Sequence, residues 1–119
     1  KIYEIFENDV PSWMIDISNH LEKDWDYTYH SILKVPPGQT IPYHKDKHYK
    51  IQNKYGKGDT FRYWIALEDW KSGHYFDVND EPFLNWKKGD YVKFSSEWHT
   101  GGNMGREPKY VAQITCLSL

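Results

Sequence analysis

The hydrophobic pattern changes period once along this chain, near residue 26. Before that point Trp13, Met14, Ile17 and Leu21 recur at three- and four-residue spacing, which puts them on one face of a helix. Pro11 suits the first turn, where its missing N–H leaves no bond unmade. The spacing predicts one helix over residues 11–24, laid by its apolar face against the outside of a sheet. After it, short runs rich in Tyr, Val, Ile, Trp and Phe alternate with turn residues, the signature of strands. Strands are predicted at 27–35, 39–44, 60–67, 74–78, 82–86, 91–95, 98–101 and 109–117. Between them lie Pro36-Pro37-Gly38, the segment 45–59, Lys71-Ser72-Gly73, Asn79-Asp80, Lys87-Lys88-Gly89-Asp90, Ser96-Glu97 and the Gly-rich stretch 102–108. One helix followed by eight short strands predicts a mainly β fold whose sheet closes or folds over to protect its edges.

Composition narrows this picture. At 119 residues the chain fits a single domain, 1–119, with its helix at about 11–24 and a barrel at about 27–117. The lone Cys116 cannot form an internal disulfide, and its apolar neighbours mark it as buried filler. No run approaches the ~20 apolar residues of a membrane span, and the charged start does not resemble a signal peptide. A soluble, cytoplasmic protein without a membrane partner is therefore expected. Lys1 in place of a Met leaves room for a preceding segment that adds substrate contacts. The net charge of −2 selects no partner, but its distribution is uneven. Acidic residues dominate early, whereas Lys45, Lys47, Lys50, Lys54 and Lys57 crowd one segment. Those lysines read first as a solvated loop and second as an attractor of anions. Aromatic residues, at 18% of the chain, suit a small β core because each ring buries a large area on a pleated surface.

The candidate chemistry lies in His44, Asp46 and His99. In extended chain, residues i and i+2 point to the same side, about 6.5 Å apart, so His44 and Asp46 can grip one ion while Lys45 points away. His99, after a turn and strand from Gly89 to Phe94, would supply a third ligand. Two imidazoles and one carboxylate form a facial triad with open positions, an arrangement suited to Fe(II) and O2. The strand order also selects a topology. His44 ends the second predicted strand and His99 begins the seventh, and these are neighbours in a double-stranded β-helix, the jelly roll or cupin barrel. A sandwich with unrelated loops gives the three residues no reason to meet. The competing reading makes His44 a surface residue, Asp46 a turn residue and His99 a core histidine.

Gly38, five residues, His44-Lys45-Asp46, then Gly89-Asp90 leading to His99 and Asn103, resembles the cupin-like 2-oxoglutarate/Fe(II)-dependent dioxygenases, including their prolyl and aspartyl hydroxylase branches. The resemblance covers about residues 27–117. It implies Fe(II) held by His44, Asp46 and His99, with 2-oxoglutarate and O2 as co-substrates and succinate and CO2 as co-products. It also implies a basic residue, ten or eleven positions after the distal His, that holds the far carboxylate of 2-oxoglutarate. Lys109 stands ten residues after His99 and is the first choice; Arg106 is the second and Arg62 the third. Thr115, Tyr29 or Tyr63 would add a hydroxyl. The other expectation from that fold is a metal-binding cupin that ignores 2-oxoglutarate. There the first ligand pair is HxH with a Glu following, and Asp46 in place of the second His favours the oxygenase. Asn103 and the glycines 101, 102 and 105 are expected to serve backbone turns.

The remaining histidines carry less. His20 and Glu22 sit on the predicted helix, where i and i+2 diverge, so they cannot share an ion. His48 would pair with His44 only on a helix and is expected in solvent. His30 and His74, within strands, read as hydrogen-bonded structural residues. The segment 47–59, long for a barrel connection and next to the metal ligands, is expected to act as a lid or recognition loop. A protein or peptide side chain is the first substrate class, a small molecule the second and a nucleic acid the third. The reading outside enzymology is a non-catalytic β-barrel that binds ligands through exposed Trp and Tyr.

Overall fold

The computed structural model describes residues 4–6, 12–21 and 25–119. Its elements in chain order are β1 (Glu4–Phe6), α1 (Ser12–Ser18), β2 (Tyr27–Val35), β3 (Gln39–His44), α2 (Tyr49–Tyr55), β4 (Asp59–Ala66), β5 (His74–Val78), β6 (Glu81–Phe83), β7 (Tyr91–Phe94), β8 (His99–Asn103) and β9 (Lys109–Ser118). The strands form two antiparallel sheets, ordered β1-β2-β9-β4-β7 and β3-β8-β5-β6. This is the mainly β roll that the alternation predicts, and β3 pairs directly with β8 as that topology requires.

Side-chain alternation divides the larger sheet into two faces. On β4, Trp64 and Ala66 join Leu33, Val35, Phe76, Trp86, Phe94 and Val111 in a cluster between the sheets. Tyr63 and Ile65 point the other way and pack with Ala112, Ile114, Cys116 and Met14 beneath α1. Strand β9 is thus buried on both faces, which explains why it reads as a continuous apolar run. Cys116 is fully buried there, and burial pushes its thiol up to about 12, so it is inert filler as expected.

Four expectations need correction. Helix α1 ends at Ser18 and gives way to a turn by residue 19; residues 11 and 22–24 of the predicted helix lie outside the described residues. The pattern does not predict β1, whose three residues are held by pairing with Ile32, Leu33 and Lys34. Nor does it predict α2 within the segment 47–59, because that helix buries only Ile51 and so carries no apolar stripe to read. Gly101 and Gly102, expected in a turn, lie inside β8. A Cβ on Gly101 would approach Lys109 Nζ to 3.2 Å, and one on Gly102 would collide with the Tyr75 ring, so close approach rather than turn geometry favours glycine here. Asn103 does serve the backbone. Fully buried, it donates to the carbonyls of Val35 and Glu107 and accepts from the Gly105 N–H, tying β8 to the start of β9.

Candidate metal centre and its cavity

The register of β3 against β8 places His44 directly opposite His99, after an irregularity between Ile41 and His44 that re-aims the end of β3. Asp46 follows two residues later on the same side. One ligand atom from each of His44, Asp46 and His99 lies within 4.8 Å of the others. His44 Nε2 is 3.3 Å from Asp46 Oδ1, and His99 Nε2 is 3.3 Å from Asp46 Oδ2. Both rings are oriented by the same local device: His44 Nδ1 lies 2.6 Å from the Pro42 carbonyl and His99 Nδ1 2.9 Å from that of Glu97, each two residues back along the chain. With Nδ1–H donating to a carbonyl, the Nε2 lone pair is free to point inward, the tautomer a metal needs. The side chains grade from open to closed, 39% exposed at His44, 13% at Asp46 and 6% at His99, so the centre has one solvent side and one protein side.

Asp46 is held in its ionised form against its surroundings. Burial alone would raise its pKa, but the contact with His99, the Arg62 guanidinium and the nearness of His44 outweigh that and hold it at about 2. Arg62 Nη1 donates to Asp46 Oδ2 at 2.8 Å, while its Nε donates to Thr115 Oγ1 at 3.0 Å. The guanidinium therefore bridges β4, β9 and the ligand segment, and fixes the carboxylate's orientation. Two neutral imidazoles with inward lone pairs and one anchored carboxylate fit a divalent first-row cation that keeps further positions open.

These residues form one wall of a cavity of about 230 Å³, which Arg62, Trp64, Phe76, Gly101, Lys109 and Thr115 also line. The volume equals about eight liquid waters, enough for a small ligand. At its closed end lies Lys109, 3% exposed. Lys109 Nζ donates to the Tyr75 carbonyl at 2.7 Å and sits 5.5–5.9 Å from the ring centroids of Trp64, Phe76 and Trp86. Among the described residues no carboxylate pairs with it. Burial accordingly lowers its pKa from 10.5 to about 7.

Not every expected residue arrives. Arg106 is exposed in the turn beyond β8 and lines a separate groove with Lys71, Gly73 and Glu107, so it does not reach the cavity. Tyr63 is one residue out of phase with Arg62 and is buried beneath α1, whereas Thr115 and Tyr29 do line the cavity. His74 is hydrogen-bonded as expected, its Nε2 lying 2.9 Å from the Glu107 carbonyl. The buried Nε2 of His30 has no partner among the described residues. His20 is exposed as expected, with Nδ1 2.9 Å from the Asp16 carbonyl. His48 overturns its expectation: it is 8% exposed and lines the cavity beside Lys50 and Ile51 of α2. The alternation that aligns His44 with Asp46 extends to residue 48, and that signal would have found it.

Comparison with solved structures bears on the fold that carries this site. Superposition matches a predicted oxalate decarboxylase from Thermotoga maritima at a TM-score of 0.59 and 18% identity, covering 97% of this chain and 80% of that one. The cupin domain of Schizosaccharomyces pombe Cnp3 matches at 0.57 and 16% identity, over 82% of this chain and 61% of that one. The chain has a cupin fold. A Cupin_2 domain of an XRE family transcriptional regulator from Enterobacter cloacae matches at 0.61 and 9% identity over the full length of both. At such identities the likeness concerns the fold, which cupins use for enzymes and for regulators alike. No family model and no curated protein sequence matches the chain. Among the described residues, no helix is long and apolar enough to cross a membrane.

Proposed function

We propose that this cupin is a non-haem Fe(II)- and 2-oxoglutarate-dependent dioxygenase that hydroxylates a protein or peptide side chain or a small molecule. The observation that carries the reading is the pairing, in one cavity, of a three-ligand metal cluster with a buried ammonium that has no counter-ion among the described residues. An unpaired buried cation is costly. A ligand that chelates a metal at one end and presents a carboxylate at the other would relieve that cost, and 2-oxoglutarate has this form. His44, Asp46 and His99 would hold the metal, and Lys109 the far carboxylate by a charge-assisted hydrogen bond. Arg62, already committed to Asp46 and Thr115, acts as the positioning residue for the ligand carboxylate. Bound there, Fe(II) supplies the O2 chemistry that couples decarboxylation of 2-oxoglutarate to substrate hydroxylation.

A second reading, a metal-dependent cupin that does not use 2-oxoglutarate, is favoured by the likeness to the Thermotoga maritima protein. Anaerobic titration of the Fe(II)-loaded protein with 2-oxoglutarate separates the two. The dioxygenase reading expects a visible charge-transfer band that saturates with 2-oxoglutarate and is lost in Asp46→Ala, together with succinate formation once air is admitted. Tight metal binding with neither band nor succinate would overturn it in favour of the second reading.

A further inference from the structure

Among the polar side chains that line the cavity, His48 is used neither by the metal cluster nor by Lys109. His48 Nε2 lies 2.9 Å from the Ser95 carbonyl and donates to it, which leaves Nδ1 as an acceptor. That Nδ1 is buried and has no partner among the described residues, although the residue is more than nine-tenths buried and lines the cavity. A buried acceptor left unpaired is uncommon and marks a place where a ligand completes the bond. His48 also holds a left-handed backbone conformation, φ 54 and ψ 35, at the start of α2. Strain of this kind in a non-glycine residue persists where the surroundings impose it, and it concentrates at sites of function. A direct role as a fourth metal ligand does not fit, because the cluster whose ligand atoms lie within 4.8 Å of one another is His44, Asp46 and His99 alone among the described residues.

We propose that His48 is a specificity-determining residue whose Nδ1 accepts a hydrogen bond from a neutral N–H or O–H group of the primary substrate. Neutrality follows from the cavity's charges. Arg62, Lys50 and Lys109 against the one carboxylate of Asp46 leave the lining net positive and disfavour an ammonium, whereas an amide or hydroxyl donor meets no such penalty. The inference rests on the reading of this cavity as the catalytic site and deepens it by naming what the site recognises.

The test uses the metal-free protein, so failure of the 2-oxoglutarate reading would not disturb it. Three probes are titrated: N-acetylglycinamide, a minimal amide donor; N-acetylsarcosine dimethylamide, the same framework with every N–H blocked; and ethylene glycol, a hydroxyl donor. In the ¹⁵N spectrum of the imidazoles, the His48 Nδ1 resonance is expected to move upfield with the amide or the diol and to stay in place with the blocked compound. Whichever donor moves it identifies the substrate class. Two variants separate this role from a structural one, with binding followed through the backbone amides of Ile51 and Gly101. His48→Gln can still donate to Ser95 but has no acceptor at the Nδ1 position, and it is expected to keep its melting temperature and bind the effective donor about tenfold more weakly. His48→Asn keeps an acceptor near that position and tolerates the left-handed backbone, and it is expected to keep the affinity while losing stability with the Ser95 bond. No movement with either donor, equal movement with the blocked compound, or unchanged affinity in His48→Gln would overturn the proposal.

Discussion

At the metal end of the cavity His44, Asp46 and His99 each already have a partner, while at the closed end Lys109 has three aromatic rings and, among the described residues, a single carbonyl. His44 and His99 are tied to carbonyls two residues behind them, and Asp46 is clamped by Arg62. Lys109, in contrast, carries three donors, of which one is matched among the described residues, by Tyr75. The first arrangement is preorganised, since its geometry exists before any ligand enters and little is lost in fixing it. The second is poised, since its energy improves only when an anion arrives. A protein that needed neither a metal nor an anionic ligand would gain stability by replacing both with apolar packing.

Breaking the metal end should have the larger effect. Asp46→Ala removes the only carboxylate of the cluster and leaves Arg62 without its acid, so we expect Mn(II) or Fe(II) affinity to fall by more than about 100-fold in a calorimetric titration. Retained affinity would mean that the cluster is not the metal site. At the opposite end, Lys109→Met keeps length and removes charge. We expect 2-oxoglutarate affinity to drop by roughly 10- to 100-fold, the worth of a charge-assisted hydrogen bond, with metal affinity unchanged. The same variant should be more stable than the parent in urea at pH 6, by on the order of 3 kcal/mol, because the penalty of a buried ammonium disappears. A destabilised Lys109→Met would show that the ammonium is already satisfied.

The pH dependence sharpens the contrast, since both pKa values are lowered and stability rises with pH at each end, but in separate windows and with the ionised form stabilising at Asp46 and costly at Lys109. Lys109 has its folded-state pKa lowered from 10.5 to about 7, so between those values the unfolded chain binds more protons. Its contribution to stability is therefore lowest below pH 7 and rises toward pH 10.5. Asp46 is lowered from 3.8 to about 2, so its stabilising effect is present above pH 4 and is lost as pH falls through 2. Denaturant midpoints of parent and Lys109→Met across pH 6–10 should converge at the alkaline limit. Anion binding draws a proton onto Lys109, so 2-oxoglutarate affinity should weaken above pH 7 by up to about tenfold per unit, with proton uptake visible in buffers of different ionisation enthalpy. A smaller effect is expected from Arg62→Lys, which cannot bridge Asp46 and Thr115 together: metal affinity should fall by about tenfold, the usual cost of losing an outer partner of a ligand. An unchanged affinity would reduce Arg62 to a surface charge.

The metal end was the more legible of the two, and for a physical reason. His44 and Asp46 share a face because of strand period alone, and the meeting with His99 follows once the roll topology is assumed. Lys109 was legible only through family resemblance, since a lysine in an apolar strand does not announce which carbonyl or ring it meets. Arg62 and Arg106 look equivalent in sequence, yet one lies on an inward position of β4 and the other in a solvent turn. In sequence His48 offers only a helical spacing from His44 and so looks solvent-bound, whereas in the structure residues 44, 46 and 48 alternate toward the cavity. Helix α2 escaped notice since a helix with one buried residue leaves no periodic trace.

Period, turn residues and the HxD pair determined, from the sequence by itself, a mainly β roll with one outer helix and two of the three candidate ligands on a common side. The register that sets His44 against His99, the Arg62 clamp, the aromatic enclosure of Lys109 and the unpaired Nδ1 of His48 were decided by tertiary structure alone. Local patterns encode which face a residue takes. Partners across sheets come from strands distant in sequence, and their spacing is set by how the two sheets pack rather than by any repeat along the chain.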